Sequence, residues 1–253
     1  MGIRVKNISN LSSKKAVSHK IMGKKNIPIK DQIQIESSKK FKAQGLQSGA
    51  RKVRKKAIET AIPLREDLVN ILQHYEAKNF DQAEKLELVL THKFPEHPFS
   101  WKVLGALFDQ TSRPSEAITA YGKAIKFSPQ DAEAHSNLGV ILEGLGHSTE
   151  AEESFRQAIA LRPDYSHAYN NLGITLQSLG RFKESEESLR QAIALKPDYA
   201  EAYNNLGNSL KKQDNLPDAE VNFRQAIMLQ PRYAKAHNNL GVTLQALGRL
   251  KES

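Results

Sequence analysis

Cysteine is missing from all 253 residues, which excludes disulfide frameworks, thiolate nucleophiles and cysteine-ligated zinc or iron–sulfur sites. Aromatic residues are few, at 7% with a single tryptophan. No stretch approaches the ~18 consecutive apolar residues of a membrane span. The first 30 residues scatter lysines among polar side chains and lack the apolar core of a secretory signal. Met1-Gly2 opens like a myristoylation site, but Lys6 stands where that motif needs Ser or Thr. The expectation is a soluble intracellular protein, cytoplasmic, or nuclear in a eukaryote.

Acidic residues are scarce in one region only. Residues 1–60 hold 16 Lys and Arg against Asp31, Glu36 and Glu59, a net of +13. The remaining residues carry 21 basic against 25 acidic, a net of −4, so the overall +9 belongs to a tail. Single isoleucines and valines in that tail sit among Lys, Ser, Asn and Gln without a period. Such a segment buries too little apolar surface to offset an ordering cost of ~1–2 kcal/mol per residue, so it is expected to be disordered. Its densest point is Arg51, Lys52, Arg54, Lys55 and Lys56. That cluster would suit nuclear import, or electrostatic contact with nucleic acid or an anionic surface. No aromatics interleave with the charges to stack bases, so a solvated leader is the main reading and nucleic-acid contact the lesser one.

The rest of the chain repeats every 34 residues. Pro95, Pro129, Pro163, Pro197 and Pro231 keep that step, as do Gly105, Gly139, Gly173, Gly207 and Gly241, each preceded by leucine. Ala83, Ala117, Ala151 and Ala219 keep it, with Ser185 in one copy; Tyr121, Phe155 and Phe223 keep it, with Leu189 between. Each unit divides into two amphipathic runs joined by a turn glycine such as Gly146 and closed by the proline. Two helices cannot cover their own apolar faces, so each pair must stack on the next.

The pattern resembles the tetratricopeptide repeat, a 34-residue helix hairpin. The resemblance implies an all-α fold, an α-solenoid wound as a right-handed superhelix, with the disordered basic tail before it. Repeats are placed at 98–131, 132–165, 166–199 and 200–233, with a divergent capping repeat at 64–97 and a truncated one at 234–253. In the capping unit, Asn70-Ile71 replaces Leu-Gly and Glu87 replaces the aromatic. Gly248 to Ser253 reproduces the start of a second helix (compare Gly180 to Ser185), so a fragment of a longer protein is expected.

On a wheel of ~100° per residue, unit positions 4, 7, 11 and 14 gather on one side of each first helix, and positions 2, 6, 9 and 13 on the other. Position 6 reads Asn137, Asn171, Asn205 and Asn239, with Val103 breaking the series. Position 5 adds Asn170, Asn204 and Asn238, and Asn208 stands at position 9. A primary amide offers donor and acceptor together, so such a row can hold the backbone of an extended peptide whatever its side chains. Asparagine is a poor helix former, so its repetition needs a reason. The alternative is that these amides brace neighbouring helices. Lys211, Lys212 and Lys235 are read as a solvated face.

The stretch AYNNLGITLQSLGRFKESEESLRQAIALKPDY is similar to the repeat region of O-GlcNAc transferases and of bacterial repeat proteins that carry a glycosyltransferase, sulfotransferase or oxygenase domain. In those transferases an asparagine ladder holds protein substrates, which implies a like role for Asn137, Asn171, Asn205 and Asn239.

The sequence has no G-x-S-x-G, Walker loop, H-E-x-x-H or dinucleotide fingerprint, so no catalytic residue, cofactor or metal is expected. His135 and His237 stand where Trp101, Tyr169 and Tyr203 sit elsewhere and read as packing variants. His92 and His97 have only Glu96 beside them, too few ligands for a metal. The expected function is a scaffold that binds extended segments of other proteins. The alternative is the substrate-recognition part of a larger enzyme whose catalytic domain lies beyond Ser253.

Overall fold

Helix propensity and turn chemistry alternate along the repeat, and the computed structural model follows them. It describes Pro63 and residues 65–248. The basic tail with its Arg51–Lys56 cluster and the final residues 249–253 lie outside the described residues. Eleven helices and no strand occur among the described residues. They are α1 (Arg65–Glu76), α2 (Phe80–Lys93), α3 (Pro98–Gln110), α4 (Pro114–Phe127), α5 (Ala132–Gly144), α6 (Ser148–Leu161), α7 (Ser166–Ser178), α8 (Phe182–Leu195), α9 (Ala200–Lys212), α10 (Leu216–Leu229) and α11 (Ala234–Ala246).

Turns within a repeat are short and need one left-handed residue. Gly146 (φ 84°) and Gly180 (φ 75°) supply it without a steric penalty. Lys78, Ser112 and Asp214 take the same conformation at φ 58–63° in other repeats, where a side chain costs more. Helix α6 opens at Ser148, two residues after its turn glycine. Pro114 and Pro217 fall in the first turn, where no intrahelical N–H bond is lost.

The chain divides into two compact units whose boundary falls within α5, after Ile141. In the first, α1 packs on α2, α2 on α3 and α3 on α4. Leu68, Ile71, Leu90, Phe99, Leu104, Leu107 and Tyr121 form its core. A Cβ on Gly105 would lie 2.9 Å from the Tyr121 ring, so this glycine is what lets α4 approach α3. The capping repeat keeps the fold by exchanging bulk across the same contact. Ile71 stands at the glycine position and Glu87 at the aromatic one, and both are buried.

In the second unit α7–α8 and α9–α10 are hairpins, α6 packs against α7, α8 against α9, and α10 against α11. Leu189, Leu206, Leu210, Phe223, Leu240 and Leu244 make up a core. Gly173 and Gly207 repeat the close approach: a Cβ there would meet Leu189 or Phe223 at 2.6 Å. Each unit is thus a stack of helix hairpins, the solenoid class that the period predicts.

Ion pairs tie neighbouring repeats. Arg113 reaches Glu84 at 2.7 Å and Arg181 reaches Glu152 at 2.6 Å. Each guanidinium also holds a glutamate in the first turn of its own second helix, Glu116 or Glu184. Trp101 Nε1 donates to the Pro95 carbonyl at 2.7 Å. His135 and His237 place Nε2 3.1 and 2.9 Å from the carbonyls of Pro129 and Pro231. A carbonyl only accepts, so these histidines carry a proton on Nε2. They tether the end of one repeat to the first helix of the next, in the same way as Trp101 at the equivalent position.

Candidate peptide-binding face

Helices α7, α9 and α11 are successive first helices of the second unit, and their asparagines meet. Asn205 Nδ2 donates to Asn170 Oδ1 at 2.9 Å, and Asn239 Nδ2 donates to Asn204 Oδ1 at 2.9 Å. Within each helix the position-5 amide leans on its neighbour: Asn170 Nδ2 lies 3.3 Å from Asn171 Oδ1, and Asn204 Nδ2 3.4 Å from Asn205 Oδ1. The bonds join end to end, Asn239 to Asn204 to Asn205 to Asn170 to Asn171, as one amide relay through three helices.

The relay sorts the sequence-predicted residues into two groups. Asn170 and Asn204 are 2% and 3% exposed and lie in the helix–helix interface. Asn137, in the first unit, is 3% exposed. These three are corrected from open-face contacts to buried ones: for Asn170 and Asn204, positions 5 and 6 lie ~100° apart on a helix and the next first helix covers position 5, whereas Asn137 is buried together with its neighbour Ser136. Asn171, Asn205 and Asn239 are half-buried, Asn208 is half-buried and Asn238 is exposed. Bracing and an open row therefore coexist. An amide has two N–H bonds and two lone pairs. Asn205 uses one N–H on Asn170 and one lone pair on Asn204, which leaves one of each.

A second network, unsignalled by any motif, stiffens the same helices. Gln177 Nε2 donates to the Asn205 carbonyl and to Ser209 Oγ, both at 2.8 Å. Ser209 Oγ lies 2.6 Å from Ser185 Oγ, which donates to the Gly173 carbonyl at 2.8 Å. Ser185 and Ser209 are fully buried. Serine at the alanine position of this one repeat was the only sequence signal for them.

Around the relay, His167 sits beside Tyr165 and Tyr199, with ring centroids 6.4 and 5.2 Å away. Burial, with the Glu201 charge second, raises the Tyr199 phenol well above its usual range. Burial lowers the Lys211 ammonium, and Lys212 adds to the effect. The face also carries Ser178, Lys212 and Val242, which are exposed, and Glu201, which is half-buried. It offers amide bonding of both kinds, with charges of both signs. Among the described residues no group of three or more His, Asp or Glu is placed to hold a metal, and no helix is long and apolar enough to cross a membrane.

Comparisons with known proteins agree with this architecture. The family profile described as TPR repeat matches residues 112–146 and 177–214. Two profiles described as tetratricopeptide repeat match 132–165 with 200–233, and 154–187. No curated protein sequence gives a significant match. Among solved structures, MamA is similar at 24% identity and TM-score 0.60, over 65% of this chain and 96% of its own. YrrB, described as a TPR protein with an unusual peptide-binding site, is similar at 18% identity and TM-score 0.61, over 76% and 97%. PilF of Pseudomonas aeruginosa is similar at 17% identity and TM-score 0.65, over 73% and 84%. Identities this low establish a shared fold and nothing further.

Proposed function

We propose, from the premise that this chain is a tetratricopeptide-repeat protein across residues 112–233, that it is an interaction scaffold. Its half-buried amides hold the backbone of an extended segment from another protein. The observation that carries this reading is the unspent bonding capacity of the position-6 row: Asn205, braced on both sides, still has one donor and one acceptor to offer. An extended chain presents carbonyls and N–H groups along its length, and such groups match a row of amides without reference to side chains. YrrB, a similar fold described as having a peptide-binding site, supports the reading by analogy.

The test separates holding a ligand from holding the fold. Asn171 and Asn208 have no inter-helix amide bond to lose, and the one bond Asn171 accepts, from Asn170 on its own helix, is long at 3.3 Å. Unstructured peptides selected by phage display on the immobilised full chain provide the probe. Replacing both residues by alanine removes amide contacts worth ~1 kcal/mol each, so peptide affinity drops about tenfold or more while the melting temperature holds. Unchanged affinity in the double variant would discard the proposed face.

A further inference from the structure

Glu87 occupies, in α2, the place that Tyr121, Leu189 and Phe223 fill in other second helices, deep in the hairpin contact. Its side chain is fully buried, and neither carboxyl oxygen has a hydrogen-bond partner. The bulk of Ile71 across the contact explains why the residue here is no larger than a leucine; it does not explain a carboxyl group. The polar side chain that faces it is Ser100 of α3, itself fully buried.

Other ionisable groups on the surrounding helices are engaged elsewhere. On α3, the Lys102 ammonium is held by Asp131 at 2.8 Å and Glu133 at 3.2 Å. The Asp109 charge acts on Tyr75 of α1, whose phenol is raised first by burial. His74 of α1 is bonded to Asn79, Asp67 is half-buried, and Glu66 and Glu76 are exposed. On α2 itself Glu84 pairs with Arg113, while Asp81, Lys85, His92 and Lys93 are exposed. Among the described residues no cation acts on the Glu87 carboxyl, and an isolated charge in such surroundings is costly.

We propose that Glu87 makes the α1–α2 hairpin a proton-held cap, seated on α3 while the carboxyl keeps its proton and loosened when the proton leaves. Burial pushes this carboxyl up to about 8 from an ordinary 4.5, against a smaller lowering by the nearby Ser100 hydroxyl. A group raised on folding stabilises fully below its unfolded value and loses that contribution as pH climbs through its folded value. The cap therefore weakens progressively between pH 4.5 and 8, and above 8 the loss is complete.

Amide hydrogen exchange on the full chain at pH 6 and pH 9, corrected for intrinsic rates, tests the cap, with α9 as the internal reference. Opening of α1 and α2 rises about a hundredfold between the two pH values in the wild type, from a tenfold shift per unit until the folded carboxyl itself ionises. Protection in α9 changes far less. Glu87→Gln and, as a second variant, Glu87→Leu remove the pH dependence. The proposal is overturned if wild-type α1 and α2 keep their protection to pH 9, if α9 loses as much as they do, or if both variants lose protection as the wild type does.

Discussion

Asn205 of α9 donates its side-chain amide to Asn170 of α7 at 2.9 Å, across the boundary between two repeats. Asn239 makes the same bond to Asn204 one repeat on. A residue type that repeats at one position can thus serve the stack and a ligand together, because an amide has more bonding sites than either task uses.

The two duties can be told apart by stability. Asn205→Ala leaves the Asn170 oxygen without its donor in a buried interface, at a cost of about 1–3 kcal/mol. Asn208→Ala, at a half-buried position outside the relay, changes stability by less than about 0.5 kcal/mol. Urea unfolding of both variants checks this; equal effects would mean that the relay does not brace.

Gly207 and Gly122 give opposite answers to the same substitution. A Cβ on Gly207 would lie 2.6 Å from the Phe223 ring, so Gly207→Ala overpacks a full contact and costs roughly 1–3 kcal/mol. Gly122 lies exposed in the middle of α4 with nothing within 4 Å of a new Cβ. Gly122→Ala therefore stabilises by about 0.5–1 kcal/mol through helix propensity alone. Melting temperatures that move the same way in both variants would contradict the packing.

Acid should weaken the first unit through Asp131. Burial raises this carboxyl, but the Lys102 charge and the hydrogen bonds from Lys102, Ala134 and Glu133 outweigh it, and the net shift is below the ordinary 3.8. Its Oδ1 also accepts from the backbone N–H groups of Glu133 and Ala134 at 3.0 and 3.1 Å, capping α5. A carboxyl lowered on folding contributes above its unfolded value and loses that contribution as pH falls through its folded one. Asp131→Asn therefore costs about 1–3 kcal/mol at pH 7, and the difference from wild type narrows below pH 3.8. Denaturation at pH 7 and pH 3 measures the gap, and a constant gap would argue against the ion pair.

The 34-residue step was enough to read the helix pairs, their turns and the leucine–glycine contact, because each depends on residues close in sequence. Asn170 and Asn171 show where that kind of reading stops. A helical wheel separates them by ~100°, yet which of the two becomes covered depends on how the next first helix leans, a matter of packing between repeats. Ser185 was visible only as a break in an alanine series, and its partner Ser209 gave no signal of its own. Glu87 was visible as a departure from the aromatic series, but its isolation from cations appears only once Lys102 is seen committed to Asp131 and Glu133.

The amide relay from Asn239 to Asn171 has a polarity as well as a length. Every link runs nitrogen to oxygen along the row: the two between helices pass from the later helix to the earlier, and the two within a helix pass from position 5 to position 6. Dipoles aligned head to tail reinforce one another and give the row two unlike ends. Near-identical repeats thereby produce an oriented surface, on which a strand running with the dipoles and one running against them would meet different fields.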